Sequence, residues 1–273
     1  MNIAIFHGGG SKFHLPLKRH WENLGHSVRD CPNYSIYQDW EPSLIFFEWM
    51  NNNTASYTRK WINLIPEDKR PRVVVREHGV GVRAGIYRQV DFTKVNELIF
   101  VSDWLRRQCD DRIDITNVHV VRNGIDLDRF TLKRSFEPTY KVAFIGRPTE
   151  DKGFDKLPEI MARFKALDLR YTLHCALGQI EDINEWLEDK DYLVHPSLME
   201  SFCYAVGEAM AKGVHPLINH WEGAEETWGD KFFLDDFNLT GERWLLRKFI
   251  EDNYNQKKMV AEITNICGIT QKE

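Results

Sequence analysis

Two basic and two acidic side chains in this sequence are spaced so that they could do chemistry together. Arg147 and Lys152 belong to Gly146-Arg147-Pro148-Thr149-Glu150-Asp151-Lys152-Gly153, where the apolar run Lys141–Ile145 gives way to a helical pattern. Cations flanking a strand-to-helix turn are placed to neutralise a diphosphate, because backbone N–H groups at such a turn already favour anions. An ordinary solvated turn would also accommodate the pair. Glu200 and Glu208 stand with seven residues between them in the stretch His195–Gly213. Phe202, Ala205, Val206, Ala209 and Met210 fall at i, i+3, i+4, i+7 and i+8, which predicts an amphipathic helix. Ser201 is its expected cap and Gly213 its stop. Glu200 then sits at the mouth of the helix. Glu208 projects well off the apolar stripe at about 100° per residue, toward solvent or a ligand.

These groups need a scaffold, and the chain supplies an α/β one. Asn2–Phe6 is a short apolar run ending in Gly8-Gly9-Gly10-Ser11, followed by a helical pattern and then Val28. Glycines between strand and helix, Gly9 and Gly10 here, let backbone N–H groups approach a phosphate or sugar; a tight turn would use them too. Apolar runs recur at Leu44–Phe47, Val73–Val75, Leu98–Val101 and Val118–Val121, with a helix over Trp104–Cys109 after a Ser102 cap. Their continuous apolar character suits strands of a parallel sheet buried on both faces. Ligands in such folds bind at the carboxyl ends of strands. Three stretches just past those ends stand out: Glu48–Asn53, Arg76–Gly79 and Asn123-Gly124. In the second, His78 could donate a hydrogen bond to a substrate or be a satisfied loop histidine. His7, His14, His20 and His26 offer no ligand geometry and read as surface or packing residues.

Residues 130–139 are charged and aperiodic, and are read as a linker. A second series follows, with strands at Lys141–Ile145, Tyr171–Ala176, Tyr192–Val194 and Val214–Ile218, and a loop at Trp221–Glu226. From Arg243 onward a helical pattern has Trp244, Leu245, Phe249, Val260, Ile263 and Ile266 as its apolar side. The expected division is 1–136 and 139–250, with a C-terminal helix of about 256–273 able to pack back on the first domain.

Composition narrows the function classes. The 273 residues are 42% hydrophobic and 12% aromatic, enough for real cores, and nothing is long and apolar enough to span a membrane. The N-terminus lacks the basic and apolar regions of a signal peptide. Five scattered cysteines without a CxxC pair point to free thiols in a reducing compartment and away from structural zinc. Residues 1–135 carry 20 Lys and Arg against 16 Asp and Glu, the rest 16 against 25. A mildly basic first half would suit an anionic acceptor or membrane surface, or be ordinary surface scatter.

Taken together, these residues resemble the retaining glycosyltransferases of family 4, with the GT-B fold. The family's Gly-Arg then Lys-Gly is met by Gly146-Arg147 and Lys152-Gly153. Its Glu-x7-Glu motif after Pro-Ser is met by Pro196-Ser197, Glu200 and Glu208-Ala209-Met210. Its Gly-x-x-Glu loop is met by Gly223 and Glu226, and its inter-domain signature by Asn123-Gly124-Ile125-Asp126 with Phe130. The glycine loop and Glu77-His78-Gly79 also look similar. Five motifs in the family's order are specific; the C-terminal half matches more closely than the N-terminal half.

The resemblance implies two Rossmann-like domains with parallel sheets facing a central cleft, the first binding acceptor and the second a nucleotide-sugar donor such as a UDP- or GDP-sugar. Arg147 and Lys152 would hold the diphosphate and stabilise the leaving group. Glu208 would accept hydrogen bonds from the ribose, and Glu200 would contact the transferred sugar. Backbone N–H groups of Phe202, Cys203 and Tyr204 would help, with Gly146, Gly223 and Glu226 near the donor. Gly9 and Gly10 would approach phosphate and acceptor, and His78 would reach a sugar hydroxyl. No metal or other cofactor is implied, and in front-side attack the departing phosphate oxygen can take the acceptor's proton. The acceptor would be a glycan, lipid-linked saccharide or small molecule, in the cytoplasm or peripherally at the inner membrane face; nucleic acid is not expected. The chain departs from the family in one place. Only Leu177–Tyr192 stands where members usually carry several more elements that help wall the nucleobase pocket. That makes a catalytically silent nucleotide-sugar-binding partner subunit the first alternative, and another GT-B enzyme, an epimerase or phosphorylase, the second.

Overall fold

The apolar runs become ten parallel strands in the computed structural model, which describes residues 1–8, 11–32, 40–109, 113, 116–178 and 180–272, with backbone alone at 11, 12 and 32. In chain order the strands are β1 (Asn2–His7), β2 (Ser27–Pro32), β3 (Leu44–Glu48), β4 (Arg72–Glu77), β5 (Glu97–Phe100), β6 (Val118–Val120), β7 (Lys141–Ile145), β8 (Thr172–Ala176), β9 (Tyr192–His195) and β10 (His215–Ile218). Six form one sheet in the order β2-β1-β3-β4-β5-β6, and four form another in the order β10-β9-β7-β8. Helices connect them: α1 (Ser11–Asn23), α2 (Asn52–Lys60), α3 (Gly79–Arg83), α4 (Asp103–Arg107), α5 (Leu157–Leu167), α6 (Ile183–Trp186), α7 (Tyr204–Ala211), α8 (Ala224–Trp228), α9 (Arg243–Asn253) and α10 (Gln256–Ile266).

Alternate side chains of each strand feed opposite faces, as the pleat requires. In the first sheet Phe6, Phe47, Val75 and Phe100 join one core cluster, while Ile5, Phe46, Val74 and Ile99 join another. In the second sheet Ala143 and Leu193 face one way, and Val142, Phe144 and Val194 the other. Burial on both faces explains why the strands read as unbroken apolar runs.

The chain divides into two compact units, one comprising Met1–Asn123 with Lys257–Glu273, the other Gly124–Gln256. The segment read as a linker lies inside the second unit: Phe130 is buried in its core, and the buried Lys133 ammonium donates to the Lys190 carbonyl at 2.6 Å. The C-terminal helical stretch is two helices, broken at Tyr254. Trp244 and Leu245, expected on its apolar side, are exposed; Leu246 and Ile250, one turn apart, are buried instead. Met259, Val260 and Ile263 of α10 complete the core of the first unit, where the Trp21 indole donates to Thr264 Oγ1 at 2.9 Å. Among the described residues no helix is long and apolar enough to cross a membrane.

Candidate functional site

Lys152 and Glu200 are brought together in the second unit. Lys152 closes the turn after β7, Glu200 lies on the connection after β9, and Lys152 Nζ stands 2.6 Å from Glu200 Oε1. The same oxygen is 3.0 Å from His195 Nε2, at the end of β9. Burial pushes the Glu200 carboxyl up, but hydrogen bonds and charge from His195 and Lys152 outweigh it and hold the pKa at about 2. Glu200 is therefore an anion at neutral pH, fixed between two basic groups.

Backbone contacts lock this arrangement. The Leu198 N–H and the Ser197 hydroxyl both donate to the Asp151 carbonyl, at 2.9 and 3.1 Å. The Asn219 N–H, just past β10, donates to the His195 carbonyl at 3.1 Å. Gly153 is required by the same packing. It has φ +67°, and a Cβ there would stand 2.8 Å from Pro196 Cβ and closer still to the Pro196 carbonyl. Gly153→Ala should therefore cost the second unit roughly 1–3 kcal/mol in urea unfolding; a loss below about 0.5 kcal/mol would show that the turn relaxes freely.

The helix carrying Glu208 starts later than expected. Ser201 does not cap it; the N-cap is Cys203, at φ +66° and without a side-chain cap bond. Glu200 and Phe202 accordingly precede the helix, and Phe202 is core rather than part of a helical stripe. Tyr204 is the first helical residue. The stop is as the sequence predicts, with Gly213 at φ +77° beyond the C-cap Lys212. Glu208 is buried, at 4% exposure, not solvated. Its charge, behind burial and the charge of Glu200, helps to raise the Cys203 thiol pKa well above the ordinary range.

The other expected donor residues are less gathered. Gly146 follows β7 directly, and its N–H donates to the Ala176 carbonyl at 3.1 Å. Arg147 is exposed and turned toward Asp151, 3.5 Å away, not toward Lys152's partner. Gly223 is the left-handed N-cap of α8, so Glu226 sits within that short helix and not in a loop. Gly9 and Gly10 lie outside the described residues.

His78 belongs to the first unit and is buried against a charged chain that sequence reasoning missed. Arg76, Glu77 and Glu48 lie within β4 and β3, not past their ends. Glu48 Oε1 is 3.0 Å from Arg76 Nη1 and 2.8 Å from His78 Nε2, and Arg76 Nη2 donates to Asn123 Oδ1 at 2.7 Å. Burial works against the Glu48 anion, but Arg76 and His78 keep its pKa lowered. Burial also lowers the pKa of His78, against the pull of Glu48, so the imidazole is neutral. A carboxylate can only accept, so Nε2 carries the proton and Nδ1 carries the lone pair. His78 can therefore accept a hydrogen bond from a ligand hydroxyl at Nδ1; the donor role expected of it is already taken by Glu48. The neighbouring Glu77 carboxyl is pushed well up by burial and receives the Met50 N–H at 3.1 Å.

Metal-ligating types gather at two places among the described residues, each with donor atoms within 4.8 Å of one another: His7, His14 and Asp30, and His195, Glu200 and Cys203. His7 and His14 are buried, as packing residues would be, but the first group gives them a shared ligand geometry that their spacing did not suggest. Their rings stack at 3.7 Å and 17°, beside an Asp30 whose other oxygen holds Lys18 at 2.6 Å.

No family model matches the sequence, and no curated protein is similar to it. Solved structures do match. Sucrose-phosphate synthase from Thermosynechococcus elongatus superposes with a TM-score of 0.69 at 14% identity, over 97% of this chain and 98% of that one. HepE from Anabaena, in complex with UDP and glucose, gives 0.65 at 14% identity over 98% and 99%. TarM gives 0.64 at 14% identity over 82% of this chain, which spans about half of TarM's length, 54%. At such identities the likeness establishes the fold: this chain has the α/β architecture of the GT-B glycosyltransferases, with two Rossmann-like units.

Proposed function

We propose that this chain is a retaining glycosyltransferase that moves a sugar from a nucleotide-sugar donor to an acceptor hydroxyl without a metal. The observation that carries the reading is the Lys152–Glu200–His195 contact at the carboxyl ends of adjacent parallel strands β7 and β9, where ligands of such sheets bind. In this reading the second unit holds the donor. Lys152 meets the diphosphate, joined by Arg147 once it leaves the exposed Asp151, and together they stabilise the leaving group's charge. Glu200 contacts the transferred sugar. Glu208 accepts from the ribose, and the N–H groups of Phe202, Cys203 and Tyr204, with Gly146, Gly223 and Glu226, complete the donor site. The first unit takes the acceptor, with His78 accepting from a sugar hydroxyl.

Complexes of HepE with UDP and glucose support a uridine nucleotide as the first donor class to try, with GDP-sugars second. Acceptors of the proposed classes are glycans, lipid-linked saccharides and small molecules. Five free cysteines favour a cytoplasmic setting, with peripheral contact at the inner membrane face as its extension.

The test is a panel of UDP- and GDP-sugars scored by thermal shift and by slow donor hydrolysis. A ligand at 100 times its Kd stabilises by ~2.7 kcal/mol, which a melting curve resolves. If no nucleotide or nucleotide sugar shifts the melting temperature, the donor site is wrong. Binding without hydrolysis or transfer would favour the silent partner subunit, and the anomeric configuration of a product decides retention.

A further inference from the structure

We propose that His195, Glu200 and Cys203 form a binding site for a thiophilic divalent transition-metal ion, Zn²⁺ by its chemistry, and that the bound ion switches the donor site off. The second half of this inference rests on the donor-site reading above; ion binding itself does not.

Three ligand atoms of the right kinds already converge. Cys203 Sγ is 3.2 Å from His195 Nε2, and that nitrogen is 3.0 Å from Glu200 Oε1. Tetrahedral bonds of about 2.0–2.3 Å place ligand atoms roughly 3.3–3.7 Å apart, so these two pairs need to open by only a few tenths of an ångström. Cys203 reaches this position at the cost of a left-handed backbone, φ +66°, that side-chain-bearing residues seldom adopt. The charges also match: one thiolate and one carboxylate neutralise a dication, leaving the imidazole neutral. A sulfur, a nitrogen and a single carboxylate suit zinc or cobalt and give magnesium, which wants oxygen ligands, little to hold. The stacked rings of His7 and His14 make a weaker case, since parallel rings do not aim their nitrogens at one point.

The ion reaches the site through the partly exposed side chains of Lys152 and Glu200. Lys152 Nζ sits 2.6 Å from the oxygen an incoming cation would take, and a dication on that oxygen repels the ammonium and draws off the negative charge that holds it. Coordination therefore releases Lys152 from Glu200 and ties Glu200 down. The same three residues act as an anchor for Lys152 when metal-free and as an inhibitory metal site when loaded.

The test uses the full chain carrying Cys175→Ser, which removes an exposed thiol that could bind metal on its own. After stripping with chelator, titration with Co²⁺ should give one equivalent of a tetrahedral spectrum with a thiolate-to-cobalt charge-transfer band. Zn²⁺ should erase that band and Mg²⁺ should leave it. Cys203→Gly suits the left-handed backbone, so it should fold and lose the band; Glu200→Gln should weaken binding at least 10-fold. Absence of the band, or its survival in Cys203→Gly, overturns the site. One equivalent of Zn²⁺ should weaken UDP binding at least 10-fold. A Co²⁺ band with unchanged UDP affinity overturns the inhibition and leaves the donor reading standing. If UDP fails to bind the metal-free chain, the donor reading and the inhibition fall together, while the band still decides the metal site.

Discussion

Lys152→Ala is expected to slow donor hydrolysis and transfer by about 100- to 1,000-fold, the usual loss when one preorganised charge-stabilising group leaves a site. The cation removed is the one 2.6 Å from Glu200, on a turn pinned through Asp151 to the Ser197–Leu198 backbone. Arg147, exposed and 3.5 Å from Asp151, would still meet the diphosphate but does not stand at Glu200, so it makes up only part of the loss. The loss should appear chiefly in kcat, with a smaller rise in donor KM, because the leaving diphosphate gains charge only as the bond breaks. Lys152→Arg should restore only part of the rate, since a planar fork does not reproduce a compact ammonium at Glu200. Initial rates within threefold of the parent for Lys152→Ala would sink the assignment of Lys152 to the leaving group.

The second large effect concerns stability. Glu48→Ala should destabilise the first unit by about 3–5 kcal/mol, the usual cost of stranding a buried charge. Arg76, fully buried, would keep Asn123 but lose the Glu48 carboxylate, and His78 would lose the acceptor of its Nε2 proton. Arg76→Met alone should cost a similar amount by stranding Glu48. The double variant Glu48→Ala/Arg76→Met should cost clearly less than the sum, because neither charge is then left buried without the other. Urea unfolding of the four proteins measures the cycle. A Glu48→Ala loss under about 1 kcal/mol would mean water reaches Arg76 and the site is not dry.

Strands were easy to find in this sequence because both faces of each sheet are buried: Leu44–Phe47 and Lys141–Ile145 could hardly be anything else. The Lys152–Glu200 pairing was reachable from motif spacing, since both residues sit where adjacent parallel strands must end. What could not be read was anything fixed by a single backbone angle or by long-range register. Nothing in the letters Ser201-Phe202-Cys203 says that the third adopts φ +66° and delays the helix. Arg76 and Glu48 read as polar residues past strand ends, yet the parallel pairing of β3 with β4 places them side by side in the interior. His7, His14 and Asp30 meet only because β1, α1 and β2 fold over one another. Periodicity left Glu208 facing solvent or a ligand, and only its burial removes the first of these, because periodicity tells which way a side chain points and not what stands there.

The discontinuous first unit has a consequence for synthesis. Residues 124–256 form a contiguous unit and can fold as soon as they clear the ribosome. The unit translated first must wait for residues beyond 256: Trp21 finds Thr264, His26 finds the Thr270 carbonyl at 2.7 Å, and the Lys272 N–H reaches the Leu24 carbonyl at 2.9 Å. The part begun first is thus finished last. Until then the apolar face that Met259, Val260 and Ile263 cover lacks that packing, and a stop codon near residue 256 is expected to spare the second unit while leaving the first without it.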